Sequence, residues 1–191
     1  MRVIEVPGHV RGLIFDCDGT LVDSMPLHMR AWEHAVASLG GRWNPEFFSS
    51  KKGMPERRIV GLYNEYYGTA WDPEETVRVK HAFFHAHADL FQPIPHVVRV
   101  AREYRGRLPM AVASGGILEI VALERDAIGV GDCFSVILTA DDAIRPKPAP
   151  DLFLEAARRL GVPPETCQVF EDGDLGLEAA RAAGMLATDV R

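Results

Sequence analysis

The stretch Val10-Arg11-Gly12-Leu13-Ile14-Phe15-Asp16-Cys17-Asp18-Gly19-Thr20 decides the fold. Val10 to Phe15 reads as a short apolar run, the pattern of a strand buried on both faces. The run ends abruptly in two carboxylates, a glycine and a threonine. A buried parallel strand that ends in polar residues and glycine is where open α/β sheets place their chemistry.

The same grammar returns from Pro95 onward. A helix over His96 to Tyr104 leads to a strand over Leu108 to Ala113, closed by Ser114-Gly115-Gly116. A helix over Ile117 to Ile128 leads to a strand over Ser135 to Leu138 and a polar loop holding Arg145-Pro146-Lys147-Pro148. The next helix covers Pro150 to Leu160, with Gly161 as its stop. Strand Gln168 to Phe170 runs into Glu171-Asp172-Gly173-Asp174. A last helix over Leu175 to Ala183 and a closing strand over Met185 to Val190 complete the pattern. The alternation predicts an α/β fold, a doubly wound parallel sheet with helices on both faces.

Residues 24–93 read differently and predict a helical insert between two parts of the core, 1–23 and 94–191. Pro26 suits a first helical turn and Gly40-Gly41 a stop, which bounds a helix over Pro26 to Leu39. On it Leu27, Ala31, His34, Ala35 and Leu39 fall near one face. A second helix covers Pro55 to Tyr67, and Asp72-Pro73 caps and starts a third running to Phe91. No strand is expected here, and most of the aromatic residues are, so the insert is expected to carry its own small core.

Composition bounds the function. At 191 residues the chain holds one domain, or one domain with a large insertion. It is 47% hydrophobic and 25% charged, which excludes a disordered chain or a disulfide scaffold. Lys plus Arg number 21 against 27 Asp plus Glu, a net charge of −6 that argues against nucleic-acid binding. Cys17, Cys133 and Cys167 are odd in number and lack Cys-x-x-Cys spacing, which points to a reducing, cytoplasmic compartment. Glu5 and Pro7 interrupt the N-terminus, so a signal peptide is not expected, and no run approaches the roughly 18 apolar residues of a membrane span.

The strand ends carry one kind of chemistry. The first offers Asp16 and Asp18, the second Ser114, a later one Glu171, Asp172 and Asp174, and the loop between them Lys147. Packed carboxylates repel one another unless a cation joins them, and Mg²⁺ favours a few carboxylate oxygens, waters and a substrate phosphate. Lys147, Ser114 and the N–H groups of Gly115-Gly116 suit a phosphate. Metal, phosphate grip and a carboxylate pair together indicate phosphoryl transfer. Asp16 and Asp18 stand at i and i+2, on the same side of an extended strand. One carboxylate can then attack phosphorus while the other passes a proton to the leaving oxygen. Cys17 between them turns the other way and reads as a small buried hydrophobe.

FDCDGTLVDS (15–24) resembles the D-x-D-G-T motif of the haloacid dehalogenase (HAD) superfamily. AVASGG (111–116), RPKPAPDLF (145–153) and VFEDGDLGLEAARAAGM (169–185) resemble its second, third and fourth motifs, in the family's order. With a helical cap inserted after the first motif, and MPLHMRAW (25–32) and KPAPDLFLEAA (147–157), the chain is similar to the β-phosphoglucomutase-like branch. Within that branch it most resembles sugar phosphatases of the fructose-1-phosphate type.

The resemblance implies an HAD-like core and a Mg²⁺-dependent phosphatase of a small phosphorylated metabolite, expected to be a sugar phosphate. It makes Asp16 the nucleophile and Asp18 the general acid and base. It gives Mg²⁺ to Asp16, the backbone carbonyl of Asp18 and Asp172, with Glu171 assisting. Ser114, Gly115 and Lys147 would hold the phosphoryl group, Lys147 would also relieve carboxylate repulsion, and Gly19 and Thr20 would add loop contacts. His28, Trp32, Gly53 and Lys80 match positions near the mouth of the site, and Arg58 is the better of Arg57 and Arg58 for meeting a sugar or second phosphate. His28, Arg58 and Lys80 are therefore the expected substrate contacts of the cap. Many relatives have Ser or Thr where this chain has Gly173, which leaves Asp174 as either a substitute or a surface carboxylate at a helix start.

Two other readings stay open at this point. A phosphomutase of the β-phosphoglucomutase type would use the same core residues, although Glu56 stands at or near the place of those enzymes' basic cap residue. A non-enzymatic binding module would not need Asp16, Asp18 and Lys147 intact. His81 and His85 share a helix face, but no Cys or carboxylate completes a zinc spacing, so packing is the expected role of His81, His85 and His87. The expected partner is a phosphorylated small molecule, with neither nucleic acid nor membrane, and the expected state is a monomer.

Overall fold

The computed structural model of the chain describes residues 3–51 and 54–191, so Gly53 lies outside the described residues. The chain forms two compact units, Met1–Ser24 with Phe91–Arg191, and Met25–Leu90.

The first unit is built on five parallel strands: β1 (Gly12–Phe15), β4 (Met110–Ala113), β5 (Val136–Leu138), β6 (Cys167–Glu171) and β7 (Leu186–Asp189). Their order is β5-β4-β1-β6-β7, and every pairing is parallel. Every residue of β1, β4 and β6 is buried, as the apolar runs predict for strands covered on both faces. The edge strands β5 and β7 are less enclosed. Helices α5 (Pro95–Tyr104), α6 (Leu118–Ala127), α7 (Asp151–Leu160) and α8 (Asp174–Ala182) alternate with the strands. Helix α7 shows the sequence logic: Leu152, Phe153, Ala156 and Ala157 form its buried stripe, and Gly161 ends it at φ +71°. Phe15 stacks on Phe170 of the neighbouring strand with ring centroids 4.5 Å apart, a contact of about 1 kcal/mol beyond simple burial.

The observed strands and helices differ from expectation by one or two residues at their ends. A larger difference concerns the seam of the insert. Val22–Asp23 (β2) pairs antiparallel with Gln92–Pro93 (β3), with Val22 opposite Pro93 and Asp23 opposite Gln92. Ser24 and residues 91–93, expected in the insert, fall within the sheet-bearing unit. Two-residue strands give no periodicity to read.

The second unit comprises α1 (Met25–Ser38), α2 (Pro45–Ser49), α3 (Glu56–Tyr67) and α4 (Pro73–Ala86). Its core gathers Trp32, Val36, Phe47, Phe48, Ile59, Val60 and Tyr63. The Tyr63 hydroxyl donates to the Arg42 carbonyl at 2.8 Å and accepts the Arg42 N–H at 2.9 Å, so its polar end is satisfied. Asp72 caps α4 as expected, accepting the N–H groups of Glu74 and Glu75. Two expectations fail here, and one element is additional. Helix α4 stops at Ala86 rather than near Phe91, and a 3₁₀ turn at Ala88–Leu90 follows it. His34 is exposed, while Trp32 and Val36 take the buried face of α1. The short helix α2 was not foreseen, although Asn44-Pro45 is a cap-and-start pair. Among the described residues no helix is long and apolar enough to cross a membrane.

Candidate active site

Three adjacent strands end at the same edge of the sheet. Asp16 follows β1, Ser114 follows β4, and Glu171 closes β6. Parallel strands put all their C-termini on one side, so residues distant in sequence become neighbours there.

Lys147 is the electrostatic centre of the cluster. Its ammonium donates to Asp16 Oδ1 at 2.7 Å and to Glu171 Oε2 at 2.6 Å. Burial would push that ammonium down, but the two carboxylates outweigh it and hold the lysine above its ordinary value. Asp16 moves up as well, through burial first and the charge of Glu171 second, against the pull of Lys147. Asp172 is raised by partial burial and again by Glu171. Carboxylate oxygens of Asp16, Glu171 and Asp172 lie within 4.8 Å of one another. One ammonium among three carboxylates leaves negative charge in excess, carried on hard oxygen donors. That donor set fits a divalent cation of the Mg²⁺ type.

The backbone is shaped around these carboxylates. Glu171 Oε1 accepts the N–H of Gly173 at 2.9 Å, and a Cβ at Gly176 would fall 2.0 Å from Glu171 Oε2. Gly173, the departure from the family motif, thus contributes a backbone donor to Glu171. Asp174 is exposed at the start of α8 and pairs with Arg191 at 2.9 Å, the surface role rather than the substitute.

Asp18 is half-buried and accepts the Ser24 hydroxyl through Oδ1 at 2.5 Å. The Ser114 hydroxyl accepts the N–H of Gly116 at 3.0 Å, which leaves its own hydrogen to donate. A Cβ at Gly116 would lie 3.4 Å from Ser114 Oγ and 3.6 Å from Asp18 Oδ2, so these two oxygens flank one point. Gly115 is exposed beside them.

Thr20 is fully buried and its hydroxyl donates to Asp172 Oδ1 at 3.1 Å, a bond that orients that carboxylate. Lys80 is also fully buried, and Glu56 and His28 engage its ammonium. His28 is half-buried and Arg58 exposed. His81 does find a carboxylate, Glu56 at 2.6 Å, while His87 stacks on Phe83 and His85 is exposed. Packing and hydrogen bonding account for His81 and His87.

One carboxyl was missed. Glu124 on α6 is completely buried, and its Oε2 accepts the Cys17 thiol at 3.3 Å. Burial raises Glu124 well above the carboxylate range, and the charge of Asp18 adds to it. Burial likewise raises the Cys17 thiol, so that sulfur is a poor nucleophile. Glu124 was legible in principle, because it falls four residues after Ile120 and four before Ile128 on the buried side of its helix.

The family of haloacid dehalogenase-like hydrolases matches residues 10–184. Fructose-1-phosphate phosphatase YqaB of Escherichia coli (strain K12) is 39% identical over 181 residues, covering 94% of this chain and 96% of that protein. Among solved structures, CbbY from Rhodobacter sphaeroides in complex with phosphate superposes with a TM-score of 0.83 at 27% identity, covering 93% of this chain and 84% of that one. A putative β-phosphoglucomutase from Thermotoga maritima does so with a TM-score of 0.76 at 26% identity, covering 92% and 82%.

Proposed function

Because the chain belongs to the haloacid dehalogenase-like hydrolase family, we propose that it is a Mg²⁺-dependent phosphatase of small phosphorylated metabolites, specifically sugar phosphates. The observation that carries this reading is the cluster Asp16–Lys147–Glu171, with Asp172 beside it at the carboxyl ends of adjacent strands. With a divalent cation held by its carboxylates, such a cluster would suit a phosphoryl group better than an uncharged substrate. The name of the YqaB relative favours a sugar phosphate.

In this mechanism an Asp16 carboxylate oxygen attacks phosphorus and the ester P–O bond breaks. Asp18 gives its proton to the departing alkoxide, so a neutral alcohol leaves. The resulting aspartyl-phosphate is then opened by water. Asp18, now ionised, takes a proton from that water as its oxygen attacks phosphorus, and inorganic phosphate and the Asp16 carboxylate are regenerated. The Ser114 hydroxyl and the Lys147 ammonium hold the phosphoryl oxygens throughout. Asp16, the Asp18 carbonyl and Asp172, assisted by Glu171, would hold Mg²⁺, which when bound supplies positive charge against the phosphoryl oxygens.

The same reading has the chain act as a monomer in a reducing cytoplasm, and three free cysteines support the compartment. The test is phosphate release from fructose 1-phosphate, 6-phosphogluconate and β-glucose 1-phosphate, with and without Mg²⁺, using Asp16→Asn as the blank. Mg²⁺-dependent release that the substitution abolishes is the expected result. Conversion of β-glucose 1-phosphate to glucose 6-phosphate without release would replace the phosphatase by a mutase, and neither activity would leave a binding module.

A further inference from the structure

Two consecutive carboxylates after β5 serve different elements of the sheet-bearing unit. Asp141 Oδ2 accepts the N–H of Leu118, the first residue of α6, at 2.8 Å. Asp142 Oδ2 accepts the Thr139 N–H at 2.9 Å, and its Oδ1 accepts Arg159 Nη2 of α7 at 3.0 Å. The Asp141 N–H donates to the Thr139 hydroxyl oxygen at 3.4 Å, so the 3₁₀ turn over Ala140–Asp142 is braced from within. Ala143 leaves that turn at φ +54°, a left-handed backbone that an alanine keeps only where its surroundings over-determine it. The segment then runs on to Lys147, whose ammonium meets Asp16 and Glu171.

Helix α6 has no cap of its own. Ile117 stands at its N-cap position and carries no side-chain oxygen, whereas the usual cap residues satisfy a first-turn N–H themselves. Asp141 does so from 23 residues further along the chain. The polar groups of the loop between β4 and α6 are then taken up one by one. The Ser114 N–H donates to the Leu138 carbonyl at 3.0 Å, the Gly116 N–H to the Ser114 hydroxyl oxygen at 3.0 Å, and the Ala140 N–H to the Gly116 carbonyl at 2.9 Å. The turn after β5 thus holds this loop twice, through Ala140 at Gly116 and through Asp141 at Leu118. These bonds leave the Ser114 hydroxyl hydrogen and the Gly115 N–H to donate. The charge of Asp141 opposes an anion in the neighbouring loop, so any gain it brings there is one of geometry.

We propose that Asp141 is a positioning residue for the phosphoryl group: by capping α6 at Leu118 it fixes the Ser114–Gly116 loop so that the Ser114 hydroxyl and the Gly115 N–H are aimed at phosphoryl oxygens. The inference rests on the sugar-phosphatase reading, which assigns those two donors to the phosphoryl group. Asp141 itself touches no reacting atom and acts through the loop. A misplacement of about 1 Å in such a donor costs up to ~100-fold in rate. Loss of Asp141 leaves the Ala140 bond to Gly116 in place, so its effect falls short of that limit.

The experiment measures kcat/KM for fructose 1-phosphate and the inhibition constant of inorganic phosphate, with Mg²⁺ present. Asp141→Ala is expected to lower kcat/KM by ~10-fold and to weaken phosphate inhibition several-fold. Asp141→Asn keeps an oxygen acceptor for the Leu118 N–H without the charge, and is expected to restore both values to near those of the wild type. Asp132→Asn, which removes a surface partner of Arg105, is expected to change neither. Wild-type values in Asp141→Ala overturn the proposal even if its melting temperature falls, because the bond is then merely structural. Equal losses in Asp141→Ala and Asp141→Asn overturn it by assigning the effect to charge, as does tighter phosphate inhibition in both. Asp141 is exposed, so its variants are expected to fold. If Asp141→Ala does not, amide exchange in the wild type decides: the Leu118 N–H must exchange more slowly than the Gly115 N–H, and inorganic phosphate must slow Gly115. Equal exchange at the two amides, or no response of Gly115 to phosphate, overturns the proposal. Absence of release from every phosphate ester tested overturns the sugar-phosphatase reading itself, whereas wild-type release that Asp141→Ala matches overturns this inference alone.

Discussion

Gly19 rests its α-carbon directly against the carboxylate of Asp172. A Cβ at Gly19 would lie 2.3 Å from Asp172 Oδ2, and the backbone there holds φ at +78°. Both conditions exclude any other residue at low cost. Gly19→Ala is expected to displace Asp172, cut Mg²⁺-dependent phosphate release by two orders of magnitude, and cost about 1–2 kcal/mol from the backbone conformation. Steady-state assays and thermal unfolding check the two parts, and a fully active variant would show that the position of Asp172 does not matter.

Lys147→Met strands two buried carboxylates. Removing one partner of a buried ionic group costs about 3–5 kcal/mol at neutral pH. In the wild type the charge and hydrogen bond of Lys147 pull Asp16 down against burial, so the substitution raises Asp16 further and the folded variant takes up its proton at a higher pH than the folded wild type does. The deficit of the variant is therefore expected to narrow as pH falls from 7 toward 4, as denaturant titrations at several pH values would show. A deficit that is constant with pH would mean that the loss is one of packing.

Glu124 gives the opposite kind of test. Its folded pKa is raised, so the unfolded chain ionises first as pH rises from about 4.3, the ordinary value for a glutamate. Stability linked to this group is complete below that pH and declines above it, until the folded form ionises too. Glu124→Gln cannot ionise and keeps an acceptor for the Cys17 thiol. It is expected to match the wild type near pH 4 and to melt a few degrees higher at pH 8. A variant less stable at pH 8 would show the carboxylate to be needed as an anion.

Mg²⁺ is expected to raise the melting temperature. A ligand at about 100 times its dissociation constant stabilises the folded state by about 2.7 kcal/mol. Asp172→Asn removes one carboxylate of the cluster and is expected to abolish most of that shift, while Asp174→Asn, at the exposed pair with Arg191, keeps it. Equal shifts in all three proteins would place the ion elsewhere.

Asp16, Ser114, Lys147 and Glu171 were legible because each closes or follows an apolar run, and parallel topology does the rest. The partnerships that tune them were not. Glu124 looks like an ordinary solvated helix glutamate until its spacing to Ile120 and Ile128 is counted. Lys80 hides in the same way between Thr76 and Phe84, four residues to either side on the buried face of α4. Periodicity registers apolar residues, and a charged residue on the buried face is visible only as a gap in the stripe. What fills that gap comes from a distant part of the chain, Glu56 for Lys80 and Cys17 for Glu124. The pairing of β2 with β3 escaped because Pro93 argues against a strand by propensity.

That pairing has a consequence for how such a chain can change over generations. Val22–Asp23 and Gln92–Pro93 leave and re-enter the sheet-bearing unit side by side, joined as the two legs of a hairpin. Whatever is spliced between the legs meets the same two anchor points, a strand pair apart. Loop closure grows only logarithmically with length, by about 0.6 kcal/mol per doubling, so inserts of very different size are tolerated at this suture. The chemistry at the sheet edge can then be inherited unchanged while the inserted module is exchanged, lengthened or lost, and selectivity can evolve separately from catalysis.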